Sequence, residues 1–192
     1  GFDALFFDVS DGVFAPGFRA SAPMISGAKK ITSLPRIAHL LLTEPDRHIA
    51  CFLEAGCTSI ILPVEAQIHT HRAMSLIKNG GAVAGLSLLP ATPLTKADYL
   101  LDFVGYVLLQ NREPGNASSV PPSETMERVR ILKNYLNHRG LNPRILIDAP
   151  DTIHDAAVYA QEGASGFILR DQRFFQLDEF RSNVDARRVD VS

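Results

Sequence analysis

Three polar residues stand where an otherwise apolar segment ends. Asp8 interrupts Phe6-Phe7-Asp8-Val9, His39 interrupts Ile37-Ala38-His39-Leu40-Leu41, and Asp148 closes Ile145-Leu146-Ile147. A carboxylate or imidazole in such company costs several kcal/mol unless it is paired, hydrogen-bonded or bound to a metal. Each alone reads equally well as a satisfied structural residue. Three at corresponding places point to a shared acid/base or metal centre.

The segments that carry them belong to a repeating pattern. Apolar runs cover 4–9, 36–42, 59–62, 82–88, 105–109, 144–147 and 166–169, and none alternates with a two-residue period. Such runs are expected of parallel strands covered on both faces, so seven strands are predicted. Helix signals lie between them. Thr43 is placed to cap a helix entered through Pro45, with Ile49, Phe52 and Leu53 on one face and Gly56 as the stop. From Ser123, the residues Met126, Val129, Leu132, Tyr135 and Leu136 form a stripe ended by Gly140, and Asp151 is placed to cap a shorter helix ending near Gly163.

Seven βα units suggest either an open doubly wound sheet or a parallel (β/α)8 TIM barrel, and the count favours the barrel with the first βα unit missing from this chain, in agreement with a start at Gly1-Phe2-Asp3 rather than Met. At 192 residues and 46% hydrophobic content, residues 1–192 are read as a single domain with a sizeable core. In such a barrel, chemistry sits at the C-terminal ends of the strands, where Asp8, His39 and Asp148 fall. The irregular stretch 110–122 follows a strand, where active-site loops are kept.

Composition narrows the partners. A net charge of −2 with scattered Lys and Arg argues against nucleic acid. No run approaches a membrane span and no signal segment opens the chain, so a cytoplasmic protein with a small-molecule ligand is expected. Cys51 and Cys57 are read as buried free thiols, and His69 and His71 as surface residues. A Schiff-base aldolase would need a lysine inside the barrel, whereas Lys29, Lys30, Lys78, Lys96 and Lys133 fall in helices or loops.

The segments FFDVSDGVFAP, RIAHLLL, GAVAGLSLLPATP, YVLLQNREPG, ILIDAP and EGASGFILRDQRFF resemble, in order and spacing, the ribulose-phosphate 3-epimerase family. The resemblance implies a (β/α)8 barrel that inverts C3 of a ketopentose phosphate with a divalent metal (Zn, Mn, Fe or Co). Asp8 and Asp148 would then be the acid/base pair on opposite faces of the sugar, and Asp8, His39 and Asp148 the metal ligands. Removing a proton alpha to a carbonyl needs a base, stabilisation of the enediolate, and an acid on the other face.

The chain also departs from the family pattern. Phe6 stands where a metal-binding His is expected, and Pro63 where a His precedes Glu65. The phosphate-binding turns read Gly115-Asn116-Ala117-Ser118, Ala149-Pro150 and Arg170-Asp171 in place of glycine-rich sequences. Pocket methionines are replaced by Ser10, Leu41 and Gln110. Ser10, Gln110, Gly115, Asn116, Ser118, Arg170 and Asp171 are therefore the expected substrate contacts, for a sugar phosphate or related anion with altered preference. Arg170 and Arg112 are candidates for a carboxylate or a displaced phosphate. The alternative is a catalytically silent member acting in binding or assembly. Homo-oligomerisation is expected from the family habit and from the strand edge that a missing unit would expose.

Overall fold

A computed structural model describes residues 2–66, 69–116 and 118–170. Seven strands form in the predicted places: β1 (Leu5–Ser10), β2 (Arg36–Leu41), β3 (Ser59–Pro63), β4 (Val83–Leu88), β5 (Tyr106–Gln110), β6 (Arg144–Asp148) and β7 (Gly166–Ile168). They make one parallel sheet in the order β1 to β7. Five α-helices connect them: α1 (Ala22–Ile31), α2 (Ile49–Glu54), α3 (Thr70–Asn79), α4 (Pro122–Arg139) and α5 (Ile153–Gln161). Leu94–Phe103, between β4 and β5, is 3-10 helix, as is Pro45–His48 ahead of α2.

The sheet curls, and its two faces bury different sets of side chains. One set, including Leu40, Ile60, Leu62, Leu86, Val107 and Ile147, packs against the helices. The other set, Ile37, Ile61, Leu108, Leu146 and Ile168, clusters with Phe6 and Tyr106 on the concave side. The second cluster draws residues from β1, β2, β3, β5, β6 and β7, which only a strongly curved sheet can bring together. Fully buried Leu108 lies in this cluster. Leu108→Ala is expected to destabilise the protein by about 2–5 kcal/mol, read as a lower urea midpoint, because the packed interior cannot collapse into the cavity.

Several local expectations are corrected. Thr43 does not cap a helix; its backbone N–H and hydroxyl both donate to Asp11 Oδ2, at 2.8 and 2.9 Å. Asp11 Oδ1 accepts from Val13 and Phe14, so one carboxylate ties the loop after β1 to the end of β2. Burial would raise the Asp11 carboxyl, but these donors outweigh it and hold it well below the usual carboxylate range. Thr152, not Asp151, caps α5, accepting from the Asp155 N–H at 3.0 Å, while Asp151 is drawn off by Arg112 and Ser119. In α4, Tyr135 lies outside the buried stripe and Thr125 inside it, where its hydroxyl donates to Asn111. Gly140 ends α4 as expected, in the left-handed conformation at φ 66°.

Cys51 is exposed rather than buried, whereas Cys57 is buried and its thiol is pushed up to about 11 by that burial. His69 and His71 lie on the surface as expected. No helix among the described residues is long and apolar enough to cross a membrane.

Candidate active site

Above the concave apolar cluster, the strand ends carry a buried polar layer: Asp8 and Ser10 on β1, His39 on β2, Ser87 on β4, Gln110 on β5 and Asp148 on β6. Asp8 and His39 are register partners, as are Gln110 and Asp148. The curl sets these two pairs across from one another, and Arg170, two residues beyond β7, closes the gap. Its Nε and Nη2 donate to the two oxygens of Asp148 at 2.7 and 3.0 Å, and its Nη1 donates to Asp8 Oδ2 at 2.5 Å. Its guanidinium carbon lies 5.7 Å from the centre of the Phe6 ring, in cation–π range.

Asp8 is the hub. Oδ1 faces His39 Nδ1 at 3.1 Å, and Oδ2 accepts from Arg19 at 3.1 Å as well as from Arg170. Burial alone would raise the Asp8 carboxyl. The His39 hydrogen bond and the Arg170 charge outweigh it and hold the group well below the usual carboxylate range. Burial likewise works against the Arg170 charge, but the carboxylates of Asp148 and Asp8 push its ionisation further up. The other nitrogen of His39 faces Ser87 Oγ at 2.8 Å.

The predicted trio is thus brought together, and so is Arg170, though by binding the two carboxylates rather than by lining a phosphate turn. The remaining expected contacts divide. Ser10 donates to the Gly17 carbonyl at 2.7 Å and so holds the β1 loop. Gln110 is buried, and its Nε2 makes no hydrogen bond among the described residues. Gly115 and Asn116 are exposed; Asn116 Oδ1 accepts from the Ser118 N–H, an Asx turn. Gly115 (φ 84°) sits against Pro16, so close that a Cβ would lie 2.6 Å from its Cγ. Asp171 lies outside the described residues. Arg112 is engaged with Asp151 at 2.7 Å. Glu65 accepts from the Leu89 N–H at 2.9 Å and from Thr92, so it braces the loop after β4. Sequence reasoning missed Arg19 and Ser87. Ser87 left a signal, a hydroxyl inside Gly85-Leu86-Ser87-Leu88, while Arg19 left none.

Next to Asp148, Ala149 adopts φ 47°, a left-handed conformation that costs a Cβ-bearing residue about 1–2 kcal/mol. Its N–H donates to the Ile168 carbonyl, fixing the turn. Ala149→Gly is expected to raise stability by roughly 1 kcal/mol, or about 2–4 °C in the thermal midpoint.

The donor set does not fit a divalent ion. Among the described residues, no group of three or more His, Cys, Asp or Glu side chains is placed to hold a metal. Arg170 takes both oxygens of Asp148 and one of Asp8, and both His39 nitrogens face other partners. Of the expected ligands, Asp8 and Asp148 are turned to a guanidinium and His39 to Asp8 and Ser87.

The family model for the ribulose-phosphate 3-epimerase family matches residues 1–173. The chain belongs to that family. It is 38% identical over 148 residues to ribulose-phosphate 3-epimerase of Aquifex aeolicus, covering 77% of this chain and 66% of that one. The chloroplastic ribulose-5-phosphate-3-epimerase of Arabidopsis thaliana is 31% identical over 170 residues, 88% of this chain and 60% of its own length. The ribulose-phosphate 3-epimerase of Escherichia coli K12 is 28% identical, covering 100% of this chain and 85% of its own. The match with this chain therefore spans 66% and 60% of the length of the first two relatives. A tryptophan synthase alpha-subunit structure from Pyrococcus furiosus superposes with a TM-score of 0.60 at 15% identity, over 88% of this chain and 70% of that one. That likeness speaks to the fold of this family member alone.

Proposed function

We propose that this family member is a sugar-phosphate epimerase that moves a proton alpha to a carbonyl between Asp8 and Asp148. The observation that carries the reading is the convergence of two buried carboxylates, from β1 and β6, on one small planar group between them. An enediolate is planar like the guanidinium but negative where it is positive, so it would lie between the two carboxylates only with Arg170 beside it as counter-charge. Asp8 is the group to take the proton, once release of Arg170 frees an oxygen and restores its basicity. Asp148, carrying a proton from solvent after Arg170 has released it as well, returns one to the opposite face, and exchange with solvent resets both groups. The barrel mouth is where proton donors and ligand meet, as in other sheets of this curvature.

Altered substrate preference is part of the reading. Pro150 and Arg170 stand where backbone N–H groups would meet a phosphate, and Arg170 turns inward instead. The parallel order β1 to β7 supports the (β/α)8 barrel class, and residues 1–192 are read as belonging to a single domain of that class. Homo-oligomerisation belongs to the same reading. A cytoplasmic setting goes with this substrate class.

The test is mass spectrometry of a panel of ketose phosphates, ribulose 5-phosphate first, incubated with the protein in D2O. One deuterium should enter at the carbon that is inverted, and no exchange with any member would overturn the proposal. The ion pairing that occupies both carboxylates favours a second reading, a silent member that binds without turnover. Ligand-induced thermal stabilisation without exchange would select it.

A further inference from the structure

Two departures from the family pattern meet in space. Position 6, where the family pattern implies an imidazole, carries a phenyl ring; position 170, where it implies a glycine-rich turn, carries a guanidinium that lies over that ring and grips both carboxylates. Phenylalanine cannot ligate a metal, but its face attracts a guanidinium. The two changes therefore favour the same occupant. The charges agree as well. Asp8 and Asp148 supply two negative charges, and Arg170 and Arg19, both on Asp8 Oδ2, supply the two positive charges that one divalent ion would bring.

We propose that Arg170, supported by Arg19 and seated on Phe6, is a built-in replacement for a divalent cation. The centre excludes metal while Arg170 is in place and offers the guanidinium to an oxyanion ligand. A guanidinium has five N–H groups. Three are spent on Asp8 and Asp148, leaving donors on the Nη nitrogens for an enediolate or carboxylate oxygen. The buried Gln110 Nε2, on the register partner of Asp148, is a further donor without a partner among the described residues. The inference concerns what occupies the centre and holds whether or not the protein turns over a sugar phosphate.

Metal binding tests it independently of activity. The purified, tag-free chain is dialysed against Zn2+ or Co2+, its metal content is measured, and Co2+ coordination is followed by visible absorption. The unmodified chain should hold no ion dependent on Asp148. Arg170→Ala should gain one equivalent, bound at least about tenfold more tightly, and Arg170→Ala/Asp148→Asn should lose it. Arg170→Lys, which keeps the charge but not the fork, should still exclude the ion. One equivalent in the unmodified chain, abolished by Asp148→Asn, would overturn the proposal, as would a folded Arg170→Ala that binds none. Circular dichroism establishes folding, and the result for the unmodified chain decides the matter should Arg170→Ala fail to fold.

Discussion

Asp148→Asn is expected to lower deuterium exchange into a responsive ketose phosphate by about 10²–10⁴-fold, the usual contribution of a positioned acid or base. Asparagine keeps the shape of the side chain and can still accept from Arg170 through one oxygen. It can neither take up nor deliver the proton. The loss should fall on the rate at saturating substrate more than on the concentration needed to saturate, because binding through Arg170 and the mouth persists. A variant that exchanges at the unmodified rate would remove Asp148 from the chemistry and leave it a structural partner of Arg170. Thermal melting of the same variant separates the two roles, since a structural partner alone would change the melt and not the exchange.

The second large effect concerns acid. The Asp8 carboxyl ionises well below its ordinary range in the folded chain, so it binds its proton more readily when unfolded. Its contribution to stability is then complete above about pH 4, the ordinary Asp range, and is lost as pH falls from there toward the depressed folded value. Asp8→Asn should cost about 1–3 kcal/mol at neutral pH, a range reduced for the partial exposure of its arginine partners. It should also flatten the acid limb of the stability curve. Asp11 is depressed as well, so part of the acid slope should remain. Urea midpoints of both chains at neutral and acidic pH measure the difference, and equal slopes would show that Asp8 is not the group being protonated.

The strands were legible because both faces of the sheet are covered, and unbroken apolar runs such as 145–147 admit few other readings. Asp8, His39 and Asp148 were legible for the same reason: polar groups stand out against apolar strands. Caps were less so. Asp151 and Thr152 are adjacent and equally able to cap, and only Arg112 and Ser119, 39 and 32 residues away in sequence, decide between them. Arg170 was legible as a contact of the site, but not in what it binds. Its bond to Asp8 spans 162 residues of chain, and an arginine beyond a strand has no local reason to turn inward rather than toward solvent. What turns it is the unbalanced charge of two buried carboxylates, a quantity that exists only after the sheet has curled.

The apolar cluster of Ile37, Ile61, Leu108, Leu146 and Ile168 has its own meaning for proton traffic. Its aliphatic side chains offer no donor or acceptor, and among the described hydrophobic residues packed on them Tyr106 alone carries a polar group. The carboxylates above it therefore rest on hydrocarbon. On the proposed reaction, a hydrogen removed from a ligand and the one that replaces it would meet solvent at the strand ends, which would make the loops there, rather than the strands, the gate on isotope exchange.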